Sequence, residues 1–130
     1  MRQSAAATPG VVCTGFQSGQ APHKLYVHAG LSALPSSHEG LPIAMLEALS
    51  YALPVIASAI PANLEVGLPT EHYIPLGDVA ALAARLREFA ARPLTLDCRD
   101  VRRAWVSDRL GWEDVARKTM AVYQAAISGR

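Results

Sequence analysis

A chain of 130 residues, 51% hydrophobic and only 18% charged, is long enough for one soluble domain with its own core and too short for a second full one. A formal net charge of +1 leaves no basic surplus, so neither nucleic acid nor an anionic membrane is implied as a partner. The two cysteines, Cys13 and Cys98, lack metal-ligand spacing and disulfide density, and no run has the form of a secretory leader or the length of a membrane span. A reducing cytoplasm is the expected setting.

In chain order, residues 11–16 and 31–35 read as short buried strands, with Cys13 in the first and an amphipathic stretch from about Ala21 to Ala29 between them. A helix follows from Pro42 to about Tyr51, then the strand Val55-Ile56-Ala57-Ser58, a proline-rich loop, and a short strand at His72-Tyr73-Ile74. Asp78 is a good N-cap for a helix whose Val79, Leu82, Leu86 and Phe89 recur at helical spacing as core residues, ending before Pro93. Cys98 falls in a loop. A last helix opens near Trp112, with Glu113 and Asp114 in its first turn and Val115, Val122, Tyr123 and Ile127 at helical spacing. Residues 98–130 therefore read as a C-terminal helical segment of the same domain. Strands alternating with helices over short links predict the α/β class: a Rossmann-like open parallel sheet with flanking helices, whose ligands bind beyond the carboxyl ends of the strands.

The most informative stretch is Glu39-Gly40-Leu41-Pro42-Ile43-Ala44-Met45-Leu46-Glu47, which sets one carboxylate just before a predicted helix start and a second inside that helix. Pro42 suits the first helical position, where its fixed φ fits the turn and its missing N–H leaves no bond unmade. The free N–H groups of that turn, at the positive end of the helix dipole, favour phosphate, and Gly40 lets a ligand approach the backbone. Glu47 stands five residues past Pro42, roughly 7 to 8 Å along the axis, about the step from a pyrophosphate to a ribose. A carboxylate is acceptor-only, so Glu47 can take both hydroxyls of a ribose and Glu39 those of a hexose. Two acids near a helix start also arise from dipole preference alone, so the pair gains its meaning from the residues around it.

Those surroundings carry a resemblance. Leu34-Pro35-Ser36-Ser37-His38-Glu39-Gly40-Leu41-Pro42, then Glu47-Ala48-Leu49 and Pro54-Val55-Ile56-Ala57-Ser58, resembles the donor-binding domain of retaining GT-B glycosyltransferases, specifically glycosyltransferase family 4. Val11-Val12-Cys13-Thr14-Gly15-Phe16 upstream, and Ile60-Pro61-Ala62-Asn63-Leu64-Glu65-Val66 and Ile74-Pro75-Leu76-Gly77-Asp78 downstream, are similar to its other loops, so the likeness spans roughly residues 9 to 127. The resemblance implies that the chain is part of the C-terminal domain of a GT-B fold and that the reaction moves a glycosyl unit, with retention, from a nucleotide diphosphate sugar to an acceptor hydroxyl. It implies Glu39 on the donor sugar, Glu47 on the ribose, and the backbone of Gly40, Leu41 and Pro42 on sugar and diphosphate. Gln17 and Ser18 are assigned to the nucleobase end as loop residues near the same crevice. The family is metal-independent and no Asp-X-Asp motif occurs, so neither a metal nor another cofactor is expected, the nucleotide sugar being a co-substrate.

Other residues take plainer readings. His38 is a solvated loop histidine, Trp105 and Trp112 are apolar anchors, and Arg99, Arg102, Arg103 and Arg109 form a solvated face with Asp97, Asp100 and Asp108. Between Lys24 and Arg85 there is no lysine or arginine, so a diphosphate would meet only helix amides. In the family a basic pair from an earlier part of the donor domain neutralises it, and an N-terminal acceptor domain closes the cleft. The chain therefore reads as a fragment whose partners are a nucleotide-sugar donor and the missing acceptor domain or a longer chain, with catalysis by the fragment alone not expected. Its location is cytoplasmic, with contact to the inner membrane surface arising through the full-length enzyme. An exposed sheet edge would invite a homo-oligomer. The alternative is a non-catalytic nucleotide-sugar-binding or interaction module, a truncated relic. Ala52 stands where the family usually has glycine after the glutamate helix, at a cost of about 1 kcal/mol if the backbone is left-handed there.

Overall fold

A computed structural model describes residues 7–92 and 95–129, with the side chains of residues 96–98, 109 and 110, and Pro93 itself, outside the described set. The order is α1 (Gln20–His28), β1 (Ser32–Leu34), α2 (Ile43–Ser50), β2 (Val55–Ser58), α3 (Pro61–Leu64), a 3-10 turn at Thr70–His72, β3 (Tyr73–Ile74), α4 (Val79–Ala90), α5 (Leu96–Leu110) and α6 (Trp112–Ser128). The strands form one parallel sheet in the order β1-β2-β3, with Ser32 opposite Val55, Leu34 opposite Ala57, and Ala57 opposite Tyr73. The class is α/β with helices flanking a parallel sheet, as the alternation of patterns predicts.

β2 is central, and all four of its residues are buried. Its side chains alternate between two cores, as a period of two requires. Val55 and Ala57 pack with Met45, Ala48, Leu49 and Leu53 on the α2 face, while Ile56 packs with Ile74 and Phe89 on the α4 face. A strand covered on both sides reads as a continuous apolar run, which is why Val55-Ile56-Ala57 was legible. β1 is an edge strand, with Ala33 exposed between half-buried Ser32 and Leu34.

The caps are built by specific bonds. Asp78 accepts from the Ala81 N–H at 2.8 Å and starts α4. α2 ends in a Schellman motif: the Leu53 N–H donates to Ala48 O at 3.1 Å and the Ala52 N–H to Leu49 O at 2.8 Å. Ala52 has φ 58°, so the left-handed position that glycine normally fills is occupied here by alanine.

Several expectations are corrected. Residues 11–16 form no strand: Val11 and Val12 are 50% and 81% exposed, and a strand exists only where a neighbour supplies its ladder. The proline-rich loop contains α3, with Pro61 at its first positions. Cys98 lies on the backbone of α5, not in a loop. Val79, at the first turn of α4, is 77% exposed because the apolar stripe runs past the end of the core. Trp105 does pack against the α2 core. Trp112 is no buried anchor, being 86% exposed, and Val115, Val122, Tyr123 and Ile127 of α6 are exposed with it.

Candidate functional site

The loop from Ser36 to Pro42 leaves the carboxyl end of β1 and enters α2, the position at which open α/β sheets take ligands. Two buried polar residues fix its root. Ser58, at the end of β2, donates its hydroxyl to Ser36 O, and the Asn63 Nδ2 donates to Ser58 O at 2.9 Å and to Ser58 Oγ at 3.3 Å. Ser58 and Asn63 are 1% and 0% exposed, so these bonds are shielded from water and tie the loop to the central strand.

The helix start differs from the expected one. Pro42 has φ −77° and ψ 68° and stands at the N-cap, with the Ile43 N–H donating to Leu41 O at 2.8 Å. That is an inverse γ-turn centred on Pro42, so the proline ends the loop instead of opening the helix. Its carbonyl then takes the first helical bonds, from Met45 N at 2.9 Å and Leu46 N at 3.1 Å. Among the described residues the amides of Gly40, Leu41 and Ala44 have no acceptor, while that of Ile43 is engaged. Gly40 keeps an ordinary φ, and a Cβ added there would meet nothing within 4 Å. Neither backbone conformation nor packing within the chain calls for glycine at this position.

Glu39 is half-buried in the loop and Glu47 is exposed on the second turn of α2, so one connection carries both acids. Glu47 has a partner that the sequence did not signal. His23 and Tyr26 are three apart on α1 and share a face. Tyr26 Oη lies 3.2 Å from Glu47 Oε2 and 3.4 Å from Ala44 O, and it can donate its proton to either. The Tyr26 ring stacks on Tyr51 with centroids 5.2 Å apart, and His23 Nδ1 lies 2.7 Å from Tyr51 Oη. Burial, then the hydrogen bond to Glu47 and its charge, pushes the Tyr26 hydroxyl above its ordinary pKa, so it remains a protonated donor. The available signal was the helical pairing of His23 with Tyr26 opposite Tyr51, but aromatic residues at that spacing are as readily core.

Gln17 is turned elsewhere. Its Nε2 donates to Thr14 O at 2.6 Å, and it lines a groove with Thr14, Ala21, Lys24, Leu25 and His28. Lys24 and His28 are each two residues from Tyr26, about 200° round the helix, so that groove lies across α1 from Glu47. Ser18 is exposed, and its carbonyl accepts from Ala21 N as α1 begins. His38 is exposed and contacts Ser37 Oγ at 3.4 Å. A cavity of about 170 Å³, lined by Leu49, Leu53, Leu68, His72, Arg102 and Trp105, opens by the residues that lead into β2 and β3, at the amino ends of those strands. It is remote from the glutamate loop. Among the described residues no three His, Cys, Asp or Glu side chains group as metal ligands, and no helix is long and apolar enough to cross a membrane.

Residues 1–92 match the family described as "Glycosyl transferases group 1". A stretch of 55 residues is 42% identical to a Salmonella typhimurium protein described as "Putative colanic acid biosynthesis glycosyltransferase WcaL". That stretch covers 40% of this chain and 13% of the Salmonella protein, so the chain answers to only a small part of that relative.

Proposed function

This chain belongs to the group 1 glycosyl transferases, and we propose that it supplies the donor-binding part of a retaining enzyme of the GT-B fold, in glycosyltransferase family 4. The reaction is transfer of a glycosyl unit from a nucleoside diphosphate sugar to an acceptor hydroxyl. Glu39 contacts the sugar, Glu47 accepts from the ribose hydroxyls, and the backbone from exposed Gly40 and Leu41 to buried Pro42 receives the diphosphate. Gln17 and Ser18 stand for the nucleobase end, where the Gln17 amide must swing away from Thr14 O to meet a base. The Salmonella relative's description names colanic acid biosynthesis, which supports a carbohydrate product.

The hard step is departure of the diphosphate. Fixed donors aimed at its developing negative charge lower that barrier, and the amides of Gly40 and Leu41 in the loop and of Ala44 in the first turn of α2 are among those offered here. Glu39 balances the positive charge that grows on the sugar. It is not assigned as a covalent nucleophile, and no metal is assigned to the diphosphate. No lysine or arginine occurs from residue 25 to residue 84, so any cation that meets the diphosphate comes from outside that window.

One observation carries the proposal: a single loop, bolted to the central strand, presents Glu39, an unobstructed Gly40 and free amides ahead of Glu47. Calorimetric titration of the chain with UDP, GDP, ADP and their glucose or mannose conjugates tests it. Saturable binding of one nucleotide, weakened at least about tenfold in Glu47→Ala, is the expected result. Binding that ignores Glu47 overturns the site.

A further inference from the structure

We infer that Tyr26 is the positioning residue of Glu47 and that, through it, the site selects ribonucleotides over deoxyribonucleotides, an inference that rests on the reading of Glu47 as the ribose acceptor. A glutamate exposed on a helix samples several rotamers, and ordering it on a ligand costs side-chain entropy. Here the ordering is done beforehand. Tyr26 Oη, 3.2 Å from Glu47 Oε2, is the hydrogen-bond partner of that carboxylate among the described residues. It engages one oxygen and leaves Oε1 whole for a ligand hydroxyl, so the carboxylate meets the ribose in one orientation.

Tyr26 is itself held. Its ring stacks on Tyr51 at an interplanar angle of 14°, and Tyr51 is met edge-on by His23, with centroids 5.4 Å apart and the Nδ1 to Oη contact beside them. Tyr51 is the C-cap residue of α2, the helix that carries Glu47, and its N–H bonds back to Glu47 O at 3.3 Å. Two helices thus clamp one aromatic pair, and the hydroxyl that emerges from it reaches the carboxylate. An aromatic cluster needed only for packing would be served equally by phenylalanine at position 26. The hydroxyl is the part that packing does not use.

The test is Tyr26→Phe, which keeps the ring stack and removes only the hydroxyl. UDP, GDP and ADP are titrated beside their 2′-deoxy counterparts into the wild-type chain, Tyr26→Phe and Glu47→Gln, with thermal melts of each. The expected result is a preference for the ribonucleotide in the wild type that falls about five- to tenfold in Tyr26→Phe, with deoxyribonucleotide affinity, which keeps the 3′-hydroxyl contact alone, falling by a smaller factor. Glu47→Gln, which tests the acceptor directly, loses the preference to at least the same degree. If Tyr26→Phe keeps the full preference while Glu47→Gln loses it, Tyr26 is a packing residue and the inference falls while the site stands. If Tyr26→Phe weakens both ligands equally and melts lower, the inference also falls. If neither glutamate variant nor tyrosine variant alters binding, or the wild type binds no nucleotide, the reading of Glu47 falls and this inference with it.

Discussion

Gly40 separates folding from function at a single position. Its backbone is ordinary and the space around a Cβ is empty, so Gly40→Ala is expected to hold or raise stability, by up to about 1 kcal/mol through a stiffer unfolded chain. Nucleotide binding should fall in the same variant, because the methyl group stands where the diphosphate approaches. Melting and calorimetry on one preparation check both halves. Ala52 shows the opposite case, a residue kept in a left-handed turn where it is fully buried, so that relief of strain by glycine would be offset by loss of a packed methyl. The turn ahead of the helix that carries Glu47 was legible because turn chemistry is a local property of the sequence. Tyr26 was not, since its meaning comes from Glu47, which lies 21 residues away and meets it only after α1 docks on α2.

Elements with local signals were readable to within a residue or two. Asp78 is the plainest, a side chain that accepts the Ala81 N–H where the apolar spacing begins. Asp78→Ala should cost about 1 kcal/mol, measurable by urea unfolding, while Asp78→Ser should restore most of it. The segment at 11–16 misled because Val11, Val12 and Phe16 have strand propensity but, among the described residues, no strand beside them, and β structure depends on pairing that no local signal contains. Helix α5 was harder to delimit for the converse reason. Its Arg99, Asp100, Arg102 and Arg103 dilute the apolar pattern, and its docking rests on Trp105 and Val106 against the α2 core. Pro42 was misplaced by one position, since proline suits both a first helical turn and the centre of an inverse γ-turn, and only the Ile43 to Leu41 bond tells them apart.

For the molecule as a whole, the described residues form one sheet with helices packed on both of its faces. Among the described residues the apolar side chains of α6 stay exposed, and the outer strands β1 and β3 pair on one side only. Stability of the part that does pack should depend on alkaline pH. Tyr73 donates to Asn63 O at 2.9 Å and accepts from Leu68 N at 3.1 Å, and burial pushes its hydroxyl above the ordinary 10.0, as it does that of Tyr26. A folded pKa raised above the unfolded one gives stability that is complete below pH 10.0 and lost as pH rises through the folded values. Urea unfolding followed across that range should show a decline that is shallower in Tyr26→Phe.

The loop between β1 and α2 is proposed to receive a nucleoside diphosphate. The most direct measurement is an amide chemical-shift map of the chain titrated with UDP, GDP and ADP. The largest shifts are expected at Gly40, Leu41 and Ala44, falling off along α2 past Glu47 and appearing at Tyr26 on α1. Shifts centred instead on Leu53, Leu68 and Trp105, around the cavity at the amino ends of the strands, or no shifts at millimolar nucleotide, would contradict the account.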